Sequence, residues 1–152
     1  MIFGVDPQIA YEVVAAIRKV TSLSIIVKLT PNVTDSKIIA KAVVDAGADA
    51  LSLINTIKAK AYIKSGHDQG KWITGGLSGP CIKPIALQKI AEVMELNLEV
   101  PVIGVGGIMN LEDVLDFFKL GVRAVQLGTA NFVNPRVMPE IIQGLERIGG
   151  VS

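Results

Sequence analysis

Four apolar stretches of this chain are each followed by residues suited to gripping a small ligand. The residues at these four ends are Lys28, Asn55-Thr56, Gly106-Gly107 and Gly128-Thr129. Each stretch has the composition of a β-strand. In a parallel α/β barrel the ligand lies at the carboxyl ends of the strands, because the loops that leave those ends converge on one face. The recurrence predicts a single binding face to which all four ends contribute.

Two of these ends have a pattern typical of phosphate binding. Gly106-Gly107 directly follows the apolar run 102–105, and Gly128-Thr129 follows the next one. Backbone N–H groups of glycine can approach an oxyanion closely because no Cβ stands in the way. Consecutive strands that end this way match the phosphate site after strands seven and eight of many barrels. We favour phosphate binding, although tight turns between strand and helix would use glycines too.

Lys28 and Asn55-Thr56 could contact other parts of a ligand. An unpaired buried charge is very costly, so the Lys28 ammonium must reach the barrel mouth, extend to solvent or meet a partner. At the mouth it could stabilise an anion, and the sequence leaves these alternatives open. The Asn55 amide and the Thr56 hydroxyl could read carbonyl and N–H edges of a ligand.

Other polar residues carry weaker indications. Segment 74–80 is a glycine-rich backbone cradle ahead of a helix. His67 lies in a polar turn and is expected to be solvated. No evident base accompanies Cys81, so we expect a small buried side chain there. No metal-ligand spacing stands out. The acidic residues of one amphipathic helix are expected on its solvated side: Glu112, Asp113 and Asp116.

Hydrophobic periodicity predicts helices that alternate with strands. The strands are apolar throughout, which is typical of a parallel sheet covered by helices. We therefore expect an α/β fold with four parallel strands and flanking helices, as in half of a (β/α)8 TIM barrel, rather than an open doubly wound sheet. The predicted helices span about 7–20, 35–46, 83–96, 110–120 and 135–148, the strands 23–29, 49–54, 100–105 and 123–127, and a long loop 57–82.

Composition limits the function classes. The 152 residues are 50% hydrophobic, which suits one domain over 1–152, and 15 basic against 14 acidic side chains leave a net charge of +1. Such a balance disfavours nucleic acid and anionic membranes as partners. No apolar stretch reaches the roughly 18 residues of a membrane span, and residues 1–6 lack the basic start of a signal peptide. We expect a cytoplasmic protein.

Five motifs resemble the family 1 dihydroorotate dehydrogenases, most closely the catalytic subunit of the NAD-linked subtype. The match extends over nearly the whole chain, in order. The motifs are Lys28-Leu-Thr-Pro-Asn-Val-Thr-Asp35, Leu51-Ser-Leu-Ile-Asn-Thr56, Thr74-Gly-Gly-Leu-Ser-Gly-Pro80 with Ile82-Lys-Pro-Ile-Ala86, Ile103-Gly-Val-Gly-Gly-Ile108 and Gly128-Thr-Ala-Asn-Phe-Val-Asn-Pro135.

This resemblance implies an FMN-containing barrel that oxidises dihydroorotate to orotate in pyrimidine biosynthesis. Lys28 would face the flavin and stabilise its anionic reduced ring. Ile54 would touch the flavin, and Asn55 and Thr56 would hold orotate. The remaining FMN contacts, chiefly at the phosphate end, would come from five residues: Gly79, Gly106, Gly107, Gly128 and Thr129.

The resemblance also implies which parts of the enzyme lie outside this chain. We expect it to be the carboxyl-terminal half of the barrel, with the family's general-base cysteine on a loop upstream, so that it does not turn over dihydroorotate alone. We expect a homo-oligomer or a pairing with an amino-terminal half, and an electron-transfer subunit with FAD and an iron–sulfur cluster. The alternatives are a non-catalytic FMN- or phosphate-binding half-barrel and the pyrimidine-reducing domain of a dihydropyrimidine dehydrogenase.

Overall fold

The strands form one parallel sheet and one separate hairpin. A computed structural model describes residues 3–64, 66 and 69–149. The parallel sheet has the order β1-β2-β5-β6, and β3 pairs antiparallel with β4. The strands are β1 (Ile26–Leu29), β2 (Ala50–Leu53), β3 (Ile57–Ile63), β4 (Lys71–Leu77), β5 (Val102–Val105) and β6 (Ala124–Gln126).

Helices connect the strands of the parallel sheet. The Asp6, Asp35 and Asn110 side chains accept hydrogen bonds from backbone N–H groups of the first turn and so fix three of the helix starts. Short 3-10 turns span Phe3–Val5 and Pro80–Ile82. The helices are α1 (Pro7–Arg18), α2 (Ser36–Asp45), α3 (Lys83–Met94), α4 (Leu111–Lys119), α5 (Ala130–Val133) and α6 (Val137–Arg147).

The two faces of the parallel sheet have different surroundings. Gly104 faces the helices, because a Cβ there would lie 2.4 Å from Cδ1 of the buried Phe117 on α4. Register puts Lys28 beside Ser52 and Ser52 beside Ile103, on the opposite face. The core therefore lies between sheet and helices, and the opposite face carries Lys28 and Ser52 together with apolar side chains such as Ile103.

The strand order confirms the predicted fold class. The parallel strands follow one another across the sheet in chain order. A doubly wound sheet would instead reverse its order at a switch point. Continuous winding in one direction is the arrangement of a barrel, of which these four units make up half.

Segment 57–82 was wrongly predicted to be a loop. Most of it is the β3–β4 hairpin, and the 74–80 cradle is largely part of β4. At the start of β3 half-buried and exposed residues alternate, which is a strand signal that the glycines of β4 obscured. Gly76 is needed for close approach, because a Cβ there would lie 2.2 Å from Oγ1 of Thr56.

The carboxyl-terminal helix lies where it was predicted, as α6, but a short helix before it was missed. A short helix, α5, begins at Ala130, directly after Thr129, and ends at Val133, before α6 starts at Val137. Pro139 lies in the first turn of α6, where the lack of a backbone N–H carries no cost. None of the helices in the described ranges is both long and apolar enough to cross a membrane.

Candidate functional site

One cavity at the carboxyl ends of the parallel strands brings the predicted site residues together. It has a volume of about 250 Å³. Residues from the ends of β1, β2, β5 and β6 meet there with residues that follow β4. All nine predicted site residues line it: Lys28, Ile54, Asn55, Thr56, Gly79, Gly106, Gly107, Gly128 and Thr129.

Lys28 supplies the positive charge of this cavity. It is the third residue of β1, and it lines the cavity while its side chain stays exposed. Among the described residues no carboxylate oxygen lies within 4.0 Å of its Nζ. Of the alternatives left open by the sequence, the structural ion pair is therefore excluded within the described part of the chain.

Asn55 and Thr56 are held at the mouth by local hydrogen bonds. Oδ1 of Asn55 accepts the Thr56 N–H at 2.9 Å. The Asn32 side chain donates to the Thr56 carbonyl at 3.0 Å and accepts the Lys58 N–H at 2.8 Å. Asn32 therefore fixes the base of the β3–β4 hairpin, while the side chains of Asn55 and Thr56 remain exposed to a ligand.

The glycines of the cavity are there for different physical reasons. Gly106 and Gly107 have φ of +136° and +76°, and a Cβ on Gly107 would lie 2.7 Å from the backbone nitrogen of Lys83. Packing alone therefore requires glycine at these two positions. Around Gly128, in contrast, no atom of the described residues lies within 4 Å of where a Cβ would stand. Its lack of a side chain leaves room at the cavity that the protein itself does not fill.

Thr129 joins the last parallel strand to the end of the hairpin. Its Oγ1 donates a hydrogen bond to Oγ of Ser78 at 2.8 Å. Gly79 follows with φ of +93°, and a Cβ there would lie 3.7 Å from Cγ2 of Thr129. The hairpin thus closes onto the cavity beside the two glycine ends.

Sequence analysis missed Gln126 among the lining residues. Gln126 is the last residue of β6, and its Oε1 accepts a hydrogen bond from the buried Ser52 at 3.0 Å. A polar residue in an apolar strand two positions before Gly128 was the available signal. The other lining residues that were missed are Ser78, Ile82, Val105, Ile108, Met109 and Phe132.

Asp113, one of the acidic residues assigned to a solvated helix side, was misassigned. Lys83 donates to both Asp113 and Asp116, and the Asp113 side chain is only 14% exposed. The hydrogen bond to Asp113, followed by that to Asp116, raises the pKa of Lys83. Hydrogen bonds from Lys83 and Lys119 lower the pKa of Asp116 to about 2. Glu112 is exposed as predicted, and the Asp116 side chain is 39% exposed.

Cys81 was wrongly predicted to be buried. Its side chain is exposed, and its Sγ lies 3.7 Å from the Ser78 carbonyl oxygen. The 3-10 turn at Pro80–Ile82 points Ile82 into the core instead. His67 lies outside the described residues.

Comparison with known families identifies the chain's relatives. The family model described as dihydroorotate dehydrogenase matches residues 2–148. This chain belongs to the dihydroorotate dehydrogenase family. The family resemblance inferred from the five motifs is therefore confirmed.

Curated relatives within the dihydroorotate dehydrogenase family are about twice as long as this chain. The catalytic subunit of dihydroorotate dehydrogenase B (NAD(+)) of Caldicellulosiruptor bescii is 50% identical over 147 residues, which is 96% of this chain and 49% of that protein. The corresponding subunit of Pelobacter propionicus is 51% identical over 148 residues, 97% and 48% of the two chains. The chain spans about half the length of the curated relatives it matches.

A solved structure of the dihydroorotate dehydrogenase family has the same fold. The crystal structure of the Eimeria tenella enzyme in complex with ferulenol superposes with a TM-score of 0.68 at 23% identity. The match covers 95% of this chain and 46% of that one. This likeness supports the TIM-barrel fold of the four βα units.

Proposed function

We propose that this chain contributes the cofactor-holding side of an FMN-dependent dihydroorotate dehydrogenase that forms orotate in pyrimidine biosynthesis. The observation that carries the proposal is that one cavity gathers all nine residues predicted to bind FMN or substrate. Membership of the family gives the reaction class. The region 1–152 is then a partial flavin-binding barrel domain.

The residues of the cavity fit a flavin phosphate. Gly128 leaves open space beside the backbone, and the Thr129 hydroxyl stands next to it. Gly106 and Gly107, with positive φ, turn the backbone between β5 and α4 at the same mouth. Unshielded backbone N–H groups in such turns favour anions. The phosphate end of FMN would be held by these four residues and Gly79.

Lys28 and the polar pair Asn55-Thr56 would act on the reacting end of the cavity. The bound flavin ring would accept the hydride that leaves dihydroorotate. The Lys28 ammonium would stabilise negative charge that develops beside it, because an ammonium without a competing carboxylate keeps its full attraction for a ligand. Asn55 and Thr56 would orient the substrate through its carbonyl and N–H groups.

Flavin titration tests the cofactor assignment. We expect FMN fluorescence to be quenched on addition of the protein. Lys28→Met should weaken FMN binding about tenfold or more, since charge-assisted hydrogen bonds contribute about 1.5–3 kcal/mol. Lys41→Met removes an exposed lysine of α2 far from the cavity lining and serves as the control. Unchanged fluorescence with the unsubstituted protein would refute the assignment.

Competition between pyrimidines separates the substrate classes. Orotate should perturb the absorption spectrum of the FMN-loaded protein, and Asn55→Ala should abolish that change. If uracil perturbs the spectrum and orotate does not, the dihydropyrimidine dehydrogenase alternative is correct. If neither pyrimidine acts while FMN binds, the chain is a flavin-binding module without this substrate.

We further propose that these are the last four units of the barrel and that another half covers its exposed edges. Support for the position at the end of the barrel comes from the consecutive glycine ends after β5 and β6, which match the phosphate site after strands seven and eight of many barrels. Support for the covering half comes from apolar side chains that are exposed at both sides of the sheet, on and after α1 and on α5 and α6. They include Ile17, Val20, Leu23, Phe132, Val133 and Ile142. The covering half is either a second copy or an amino-terminal half. Sedimentation velocity should show association, and a stable monomer would contradict the proposal.

A further proposed partner is an electron-transfer subunit with FAD and an iron–sulfur cluster. Its support is that the relatives are named catalytic subunits, which implies a second kind of subunit in those enzymes. Co-expression with the partner subunit from Caldicellulosiruptor bescii should give a co-eluting complex. Separate elution at micromolar concentration would count against it. We place the assembly in the cytoplasm.

A further inference from the structure

Lys83 connects the two helices that begin beside the Gly106-Gly107 turn. It is the first residue of α3, and its side chain is 21% exposed. Its Nζ donates to Asp113 and, at 2.8 Å, to Asp116, both on α4. Lys83 itself does not line the cavity. One ammonium therefore fixes the start of α3 relative to the first two turns of α4.

Asp113 connects Lys83 to the lining of the cavity. Its Oδ2 accepts the backbone N–H of Met109 at 2.8 Å, and Met109 lines the cavity. The Asp113 N–H donates at 3.0 Å to Oδ1 of Asn110, the residue that caps α4. A continuous chain of hydrogen bonds thus runs from Lys83 to the loop after β5.

The same loop also packs directly on the backbone of Lys83. A Cβ on Gly107 would lie 2.7 Å from the nitrogen and 2.9 Å from Cα of Lys83. A shift of the start of α3 would therefore press on Gly107 or leave a gap behind it. The loop is held from two sides by one residue, through its backbone and through its ammonium.

We infer that Lys83 is a positioning residue that holds loop 106–109 in the shape that receives the phosphate end of the cofactor. The inference rests on the proposed function. A partly buried ion cluster contributes little net stability compared with apolar packing. What apolar side chains could not replace is the way in which the cluster orients the loop. A preorganised loop does not have to be ordered when the ligand binds.

Lys83→Met and Lys89→Met form a matched pair of variants. Both remove one positive charge from α3 and keep a long apolar stem. The Lys89 side chain is 15% exposed and pairs with Glu92 at 3.1 Å, and its other hydrogen bond is to the Thr34 carbonyl. Lys89 thus has similar burial and pairing, but among the described residues it makes no hydrogen bond or ion pair with loop 106–109 or with α4.

Affinities for FMN and riboflavin give the first readout. Riboflavin lacks the phosphate, so a loop that positions phosphate should affect the affinity for FMN and not the affinity for riboflavin. Lys83→Met should weaken FMN binding about tenfold and riboflavin binding less than about twofold. Lys89→Met should leave the ratio of the two affinities unchanged. Equal losses for both flavins, or equal behaviour of the two variants, would overturn the inference.

Hydrogen exchange of the Met109 amide gives a second readout that needs no flavin. Exchange should become faster in Lys83→Met than in the unsubstituted chain and stay unchanged in Lys89→Met, because only Lys83 orders the carboxylate that this amide contacts. Unchanged exchange in Lys83→Met would refute the inference even if FMN binds. Failure of FMN to bind the unsubstituted chain would refute the proposed function alone, and the exchange result would then decide the role of Lys83.

Discussion

Ser52 donates a hydrogen bond from its Oγ to Oε1 of Gln126, 3.0 Å away, across the sheet face that also carries Lys28. Ser52 is buried on β2, and Gln126 is exposed at the end of β6. The bond crosses β5, which lies between these strands. It fixes the carboxamide of a cavity-lining residue from the interior of the sheet.

Ser52→Ala should lower the free energy of unfolding by about 1 kcal/mol, since it removes a hydrogen bond made by a buried hydroxyl. Ser36→Ala is the matched control. Ser36 is equally buried, but its Oγ finds no hydrogen-bond partner among the described residues. Its removal should be neutral or stabilising, because an unsatisfied polar group no longer has to be buried. Chemical denaturation measures both, and equal losses would contradict the assignment.

Gly128→Ala should separate ligand binding from stability. The added Cβ meets no atom within 4 Å, so the free energy of unfolding should stay within about 0.5 kcal/mol. FMN titration should nevertheless show weaker binding, because the methyl group occupies space at the cavity. Gly107→Ala, with φ of +76° and Lys83 in the way, should lower stability by about 1–3 kcal/mol. Undiminished FMN affinity in Gly128→Ala would show that the ligand does not approach there.

Gly104→Ala should destabilise the core although alanine is a small residue. Its Cβ would lie 2.4 Å from Cδ1 of Phe117, and neither residue can move freely in the packed core. Overpacking of this kind costs about 1–3 kcal/mol. Gly75→Ala on β4 is the control, since open space surrounds that position. Thermal unfolding should show a lower midpoint only for Gly104→Ala.

The Asp116 carboxylate should make stability depend on acidic pH. Hydrogen bonds from Lys83 and Lys119 hold its folded-state pKa at about 2, below the ordinary 3.8 of an unfolded chain. The folded state thus favours the ionised carboxylate, which stabilises above pH 3.8 and stops doing so as the pH falls through about 2. In denaturation series, the stability difference between the unsubstituted chain and Asp116→Asn should shrink over that interval. A constant difference would contradict the lowered pKa.

The helix starts and the parallel sheet could be predicted because local rules decide them. The side chains of Asp35 and Asn110 cap their helices through local hydrogen bonds, whatever the helices pack against. Apolar runs such as 100–105 indicate buried parallel strands without knowledge of their neighbours. The β3–β4 hairpin escaped prediction because Gly75 and Gly76 argue against a strand locally, and only contact with Thr56 explains Gly76.

The sequence by itself determined which residue types stand at the four strand ends, and hence seven of the nine residues of the candidate site. The family resemblance supplied the other two, Ile54 and Gly79. Tertiary structure decided what each of them does in the fold. Positions 106 and 107 require glycine because a Cβ there would clash with α3, whereas position 128 does not. That difference depends on which atoms of distant segments come near. The Lys83, Asp113 and Asp116 cluster shows the same limit. Helix periodicity can place two carboxylates on one face, but a lysine thirty residues away decides whether that face is solvated or paired.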